Sequence, residues 1–161
     1  MAMILYHGSN VEVRTPRLLR LQRALDFGKG FYLTSDREQA VRWARRVRQR
    51  NRSGDACVNA YEVDATALAS LRVLAFPAPD ASWLRFVVSN CRNGATSDER
   101  DVIHGPVADD QTSAVIDFYL SGVYDEDEAV RRLLPQKLSD QWIFKTEQAI
   151  ALLRFVEVAI I

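Results

Sequence analysis

Histidine occurs twice in the 161 residues, at His7 and His104, and each is followed by glycine. Imidazole is the side chain best placed to move a proton near neutrality, so both are candidates for acid–base chemistry. The plainer role, a hydrogen-bonded residue at the end of a strand, stands beside that one. Other constellations are missing. Cys57 and Cys91 are far apart, and no HxxxH, CxxC or carboxylate pair marks a metal site. GKGF at 28–31 lacks the third glycine of a dinucleotide fingerprint and runs into a strand, and no P-loop occurs. Ser9, two residues after His7, has no third partner in sequence that would complete a triad.

The stretch 25–34, LDFGKGFYLT, offers a different kind of chemistry. If 31–34 is a strand, its side chains alternate. Phe31 and Leu33 then face a core, while Gly28, Gly30, Tyr32 and Thr34 share the other face. One phenol would stand on a surface cleared of bulk, where a planar ring can stack; the alternative is a hairpin tyrosine anchored by its hydroxyl.

The elements that must carry these residues follow from pattern. Hydrophobic residues make up 48% and charged residues 26%, ordinary for a globular chain, and the length suits one domain over 1–161. Lys+Arg and Asp+Glu both number 21, so no net field steers the whole molecule to nucleic acid or membrane. No apolar run reaches spanning length, the N-terminal segment lacks a basic region, and two unpaired cysteines fit a reducing compartment. A cytoplasmic protein is expected. Strands are predicted at 3–7, 31–34, 58–63, 71–76, 101–104, 141–145 and 154–160, the first apolar on both faces and so expected to be central.

Helix starts are read at Ser35 with Glu38, at Asp80, at Asp125 with Glu128 and at Thr146. Apolar stripes are Ala40, Val41, Ala44 and Val47; Trp83, Leu84, Val87, Val88 and Cys91; Ala114, Val115, Phe118 and Tyr119, stopped by Gly122; and Ala129, Val130, Leu133 and Leu134, stopped by Pro135. Residues 11–26 stay open. Strands and helices interleave without βαβ spacing, which predicts α+β.

Taken in order, His7-Gly8-Ser9 after a first strand, GKGFYLT with Tyr32, and Gln141 opening a late strand resemble the ADP-ribosyltransferase superfamily. The resemblance is to the branch of diphtheria toxin and the poly(ADP-ribose) polymerases. YHGS, LDFGKGFYLT, GPVADD at 105–110 and DQWIFKTEQAI at 140–150 are more similar still to an uncharacterised bacterial family within it. The resemblance implies two packed, mostly antiparallel sheets flanked by helices, with an NAD cleft between them.

It further implies that NAD is the co-substrate. His7 would bond the adenosine ribose and the Gly8 backbone the nicotinamide carboxamide, with Ser9 a second candidate there. Gly30 would leave room for the dinucleotide, and Tyr32 would stack on nicotinamide. Gln141 takes the place of the family's glutamate, so it can accept a ribose hydroxyl bond but supplies neither charge nor base. Glu147 is the substitute carboxylate to weigh against a helix-dipole role.

The implied activity is mono-ADP-ribosylation of a protein or nucleic acid, in the manner of a bacterial toxin with an antitoxin partner. An inactive NAD- or partner-binding module, and a phosphodiesterase or RNase using His7 and His104, are the alternatives. Seven arginines between 37 and 52 read as a solvated face, or as a grip on phosphates or an acidic partner.

Overall fold

A computed structural model describes residues 2–18, 30–93, 100–108 and 110–161. Gly28, most of the 93–99 turn and much of the open 11–26 stretch lie outside the described residues. The chain is α+β, with two sheets. Strands β1 (Ala2–Ser9), β3 (Cys57–Asp64) and β7 (Arg154–Ile160) form an antiparallel sheet in the order β1-β3-β7. Strands β2 (Phe31–Leu33), β6 (Asp140–Phe144), β5 (Val102–Pro106) and β4 (Val73–Ala75) form the second, in the order β2-β6-β5-β4; only β4 and β5 are parallel.

The sheets touch at one bridge. Tyr6 and Thr34 exchange backbone bonds, Tyr6 N–H to the Thr34 carbonyl at 2.8 Å and the reverse at 2.9 Å. Beyond it the strands separate, because β2 turns to pair with β6 while β1 continues along β3. β1 was expected to be central and is instead the edge of its own sheet. Its two apolar faces are explained otherwise: Tyr6 packs with Ala40, Val41 and Val58, and Leu5 packs with Phe31, Tyr61 and Phe144. An edge strand covered on both faces has the same composition as a central one.

Helix α1 (Arg37–Asn51) lies on the Tyr6 side and buries Gln39, Ala40, Val41 and Ala44. Its cap is Asp36, not the expected Ser35: the Asp36 carboxylate accepts from Glu38 N–H at 3.0 Å. Ser35 is committed elsewhere, to Asp140. A short α2 (Ala65–Ala69), capped by Asp64, has no strong sequence signal at five residues. Asp80 caps α3 (Ala81–Asn93) through Trp83 N–H at 3.0 Å, and Trp83, Leu84, Val87 and Val88 are buried as their spacing predicts.

Helices α4 (Asp110–Leu120), α5 (Glu126–Leu133) and α6 (Glu147–Ile150) complete the chain. Gly122, at φ +82°, follows α4, and Asp125 caps α5 through Glu128 N–H at 2.8 Å. The α4 face is rotated from expectation: Val115 and Ile116 are buried and Phe118 is exposed, as is Leu134 beyond α5. Phe118 and Leu134 had the right spacing for the core, but each lies at the rim of its stripe. One core cluster, under α3, α4 and α5, includes Tyr32, Trp83, Ile103 and Ile143. A second, including Leu5, Phe31, Tyr61 and Phe144, draws on strands of both sheets, and a small third joins Ala40 and Val41 of α1 to Val58 of β3. No helix among the described residues is long and apolar enough to cross a membrane.

Candidate functional site

A cavity of about 680 Å³ opens where β1 and β2 diverge, a size in the range that small-molecule ligands occupy. Its wall brings together His7, Gly8 and Ser9 of β1, Phe31 and Tyr32 of β2, and Gln141 of β6. Trp43, Arg46, Val47, Arg50 and Asn51 come from α1, and Val107 and Ala108 from the end of β5. The segment 10–18 supplies the remaining side. Its backbone is tied to β3 by three side chains: Asn59 accepts from Val13 N–H at 2.8 Å, and the Tyr61 hydroxyl donates to the Val13 carbonyl at 2.6 Å. Cys57 Sγ and Asn59 Nδ2 both donate to the Val11 carbonyl.

His7 spans the gap. Its ring stacks on Phe31, centroids 4.2 Å apart, and Nδ1 lies 2.7 Å from the Tyr32 carbonyl. A carbonyl only accepts, so Nδ1 carries a hydrogen and Nε2 of the neutral ring is left as an acceptor. Burial pushes the His7 imidazole below its ordinary value, partly opposed by the hydrogen bond to Tyr32. The ring is therefore a fixed, neutral acceptor.

Gly8 owes its identity to packing. A Cβ there would meet the Ala40 carbonyl oxygen at 2.2 Å and Ala44 N at 2.7 Å, so any larger residue drives α1 off the strand. Its backbone has a second consequence. In a strand, alternate residues direct N–H and C=O to the same edge. Tyr6 directs its pair at β2, so Gly8 directs its own pair the same way, where the strands have parted and the cavity begins. Ser9 is buried, and its hydroxyl accepts from Val11 N–H at 3.3 Å.

Tyr32 differs from the platform expected of it. It is 7% exposed and part of the core under the helices, because Ile143 lies opposite it in the ladder on the face that was to be clear. Tyr32 therefore has two attachments, one to the core and one to the cavity wall. Gly30 is not on that wall. A Cβ at Gly30 would meet Ile143 Cγ2 at 2.4 Å, so its lack of a side chain serves packing between β2 and β6.

Gln141 is 1% exposed, and its Nε2 has no hydrogen-bond partner among the described residues; Gln136 Oε1 is the other such buried atom. A buried amide without partners costs stability. Exchanging the two ends of the amide would leave the same spot unsatisfied, with oxygen in place of nitrogen. A group that both donates and accepts, such as a hydroxyl, would satisfy either setting.

Other candidates are not brought in. Glu147 is exposed at the first turn of α6, and His104 is absent from the wall. His104 stacks on Trp142, centroids 3.7 Å apart, and its Nε2 lies 3.4 Å from Asp140 Oδ2. Asp140 also accepts from Thr34 Oγ1, Ser35 N–H, Ser35 Oγ and Trp142 Nε1 at 2.8–3.0 Å. Partial burial alone would raise the Asp140 carboxyl, but the bonds from His104, Ser35 and Trp142 outweigh it and hold it well below the usual carboxylate range.

The sequence reading did not single out Trp43, Asn51 or Val107, nor did it tie the arginines of α1 to the cavity. Trp43 is three residues past Ala40, a helical spacing that was a usable signal for a shared side of α1. Among the described residues no group of three or more His, Cys, Asp or Glu is placed to hold a metal ion.

The family model described as "Protein of unknown function (DUF3990)" matches residues 3–155, and the chain belongs to that family. No curated protein and no solved structure matches the chain.

Proposed function

We propose that the protein is an NAD-dependent mono-ADP-ribosyltransferase with the cavity between β1, β2 and α1 as its dinucleotide site. The observation that carries this reading is the meeting of His7, Gly8, Tyr32 and Gln141, from three strands distant in sequence, on one cavity wall. The order of these residues along the chain resembles the ADP-ribosyltransferase superfamily, and the two mostly antiparallel sheets are compatible with its fold.

The roles follow from the atoms available. His7 Nε2 accepts a ribose hydroxyl bond. The N–H and C=O of Gly8 suit a carboxamide, which needs one donor and one acceptor. Tyr32 offers an aromatic wall for the nicotinamide ring. Gln141, a lining residue of the cavity, bonds the nicotinamide-ribose hydroxyl through its amide.

In the reaction the C–N glycosidic bond breaks, and nicotinamide leaves with the electron pair. The acceptor's nucleophile bonds the anomeric carbon and gives up a proton. No Asp or Glu among the described residues lines the cavity, so positioning carries more of the rate than charge does. The acceptor must bring its own base or be nucleophilic already, which favours single transfers over chain growth.

Labelled NAD incubated with the protein and cell extract is expected to give labelled macromolecule and free nicotinamide. The lack of a carboxylate among the described residues of the wall also favours a second reading, a nucleotide-binding module without catalysis. That reading predicts bound NAD with no nicotinamide released. A phosphodiesterase built on both histidines gains no support, because His104 is engaged with Asp140 and Trp142 away from the wall.

A further inference from the structure

We propose that the α1 end of the cavity is a phosphate subsite, where Arg46 and Arg50, with Arg17, hold the pyrophosphate of a nucleoside-diphosphate-type ligand. The inference rests on the nucleotide reading of the cavity and adds to it the residues that select for phosphate. Trp43, Arg46, Val47 and Arg50 follow at i, i+3, i+4 and i+7, so they form one face of α1, and all four line the cavity. Trp43 abuts Gly8, since a Cβ on that glycine would lie 3.1 Å from Trp43 Cβ. The cavity therefore joins Gln141 and His7, Gly8 and Trp43, and the two arginines about one and two helical turns past Trp43. An extended ligand whose ribose meets Gln141 has its charged portion in reach of that end.

Among the described residues the charge on the wall is of one sign. Arg17, Arg46 and Arg50 line it and no described carboxylate does, although acidic and basic residues are equal in number over the chain. Guanidinium groups one turn apart match adjacent phosphates in both charge and forked donor geometry. Two further arginines of α1 are held by groups away from the wall. Arg42 donates to Gln39 Oε1 at 2.6 Å and lies 3.9 Å from Asp36, and Arg48 Nε donates to the Gly54 carbonyl at 3.3 Å. A cation in the last turn also offsets the negative end of the helix dipole, but Arg48 already does so, and Arg46 lies before that turn.

Calorimetric titration of the whole protein with ADP, ADP-ribose and nicotinamide tests the assignment. The variants are Arg46→Gln, Arg50→Gln and, as a control on the same helix away from the wall, Arg45→Gln. ADP and ADP-ribose are expected to bind the unmodified protein and to weaken at least tenfold in Arg46→Gln and Arg50→Gln. Arg45→Gln should leave them unchanged, and nicotinamide should bind all four proteins alike. Unchanged ADP affinity in both cavity variants, or no ADP binding at all, overturns the subsite. A single-stranded oligonucleotide that outcompetes ADP and weakens equally in all three variants also overturns it, by assigning the face to a polynucleotide. ADP binding that depends on Arg50, without nicotinamide release from NAD, removes the transferase reading alone. Nicotinamide release with unaltered kcat/KM in Arg50→Gln removes this inference alone.

Discussion

Asp140 and Gln141 are neighbours on β6 whose side chains point to opposite faces, and they represent two regions built on opposite rules. On the Asp140 side the carboxylate is answered from within the fold. Its carboxylate takes bonds from Thr34, Ser35 and Trp142 and faces His104, which is itself stacked on Trp142. On the Gln141 side a buried amide of a residue that lines the cavity has a nitrogen with no partner among the described residues, and His7 is bonded through Nδ1 alone of its two ring nitrogens. Both regions contain a histidine and a strand-end polar residue, so residue type does not separate them. The difference is completeness: a closed network holds β6 to the turn between β2 and α1, and an open one borders a cavity.

If that contrast is right, the closed side carries the larger stability effects. Asp140→Ala strands the donors of Ser35, Thr34 and Trp142 and is expected to cost about 2–4 kcal/mol in urea denaturation. A loss under about 1 kcal/mol would mean the network is decoration. Tyr32→Ala, which opens a hole in the helix-side core, should cost about 3 kcal/mol. Its activity loss therefore says little alone. Tyr32→Phe keeps the ring, so it should lose much less stability than Tyr32→Ala and hold ligand affinity close to that of the unmodified protein.

Acid sharpens the comparison further. The Asp140 carboxyl titrates lower in the folded chain than in the unfolded one. Its contribution is thus complete above the ordinary carboxylate value near 4 and fades as pH falls through the folded value. His7 is also shifted down, but as a base. The unfolded chain takes up that proton first, so stability declines as pH drops below about 6.5. Thermal melts from pH 8 to 5 should show this slope in the unmodified protein and lose it in His7→Gln. Asp140→Asn should instead flatten the loss below pH 4. The smallest stability change is expected at Gln141→Met: removing an unsatisfied buried amide leaves stability within about 1 kcal/mol, or raises it.

Much of the frame was legible because local rules agreed with tertiary demand. Trp83 and Leu84 on α3, the Asp80 and Asp125 caps, and β7 at 154–160 all follow from spacing and capping. Misreadings arose where partners distant in sequence decide. Ser35 yielded its cap to Asp36 because Asp140, 105 residues away, claims it. β1 looked central because α1 covers the face a neighbouring sheet might have covered. Tyr32 looked free because Ile143, its cross-strand partner, cannot be read from 31–34 alone. In the site, the order of His7, Tyr32 and Gln141 was visible as a resemblance. The arginines of α1 were visible only as charge, since nothing local says that one end of a helix faces a cavity.

Thermal unfolding with and without millimolar NAD, for the unmodified protein and Gln141→Met, tests the central claim most directly. The account predicts a rise of several degrees for the unmodified protein and none for Gln141→Met, whose own midpoint stays within about two degrees of the starting value. No rise in the unmodified protein, or an equal rise in both, would contradict it.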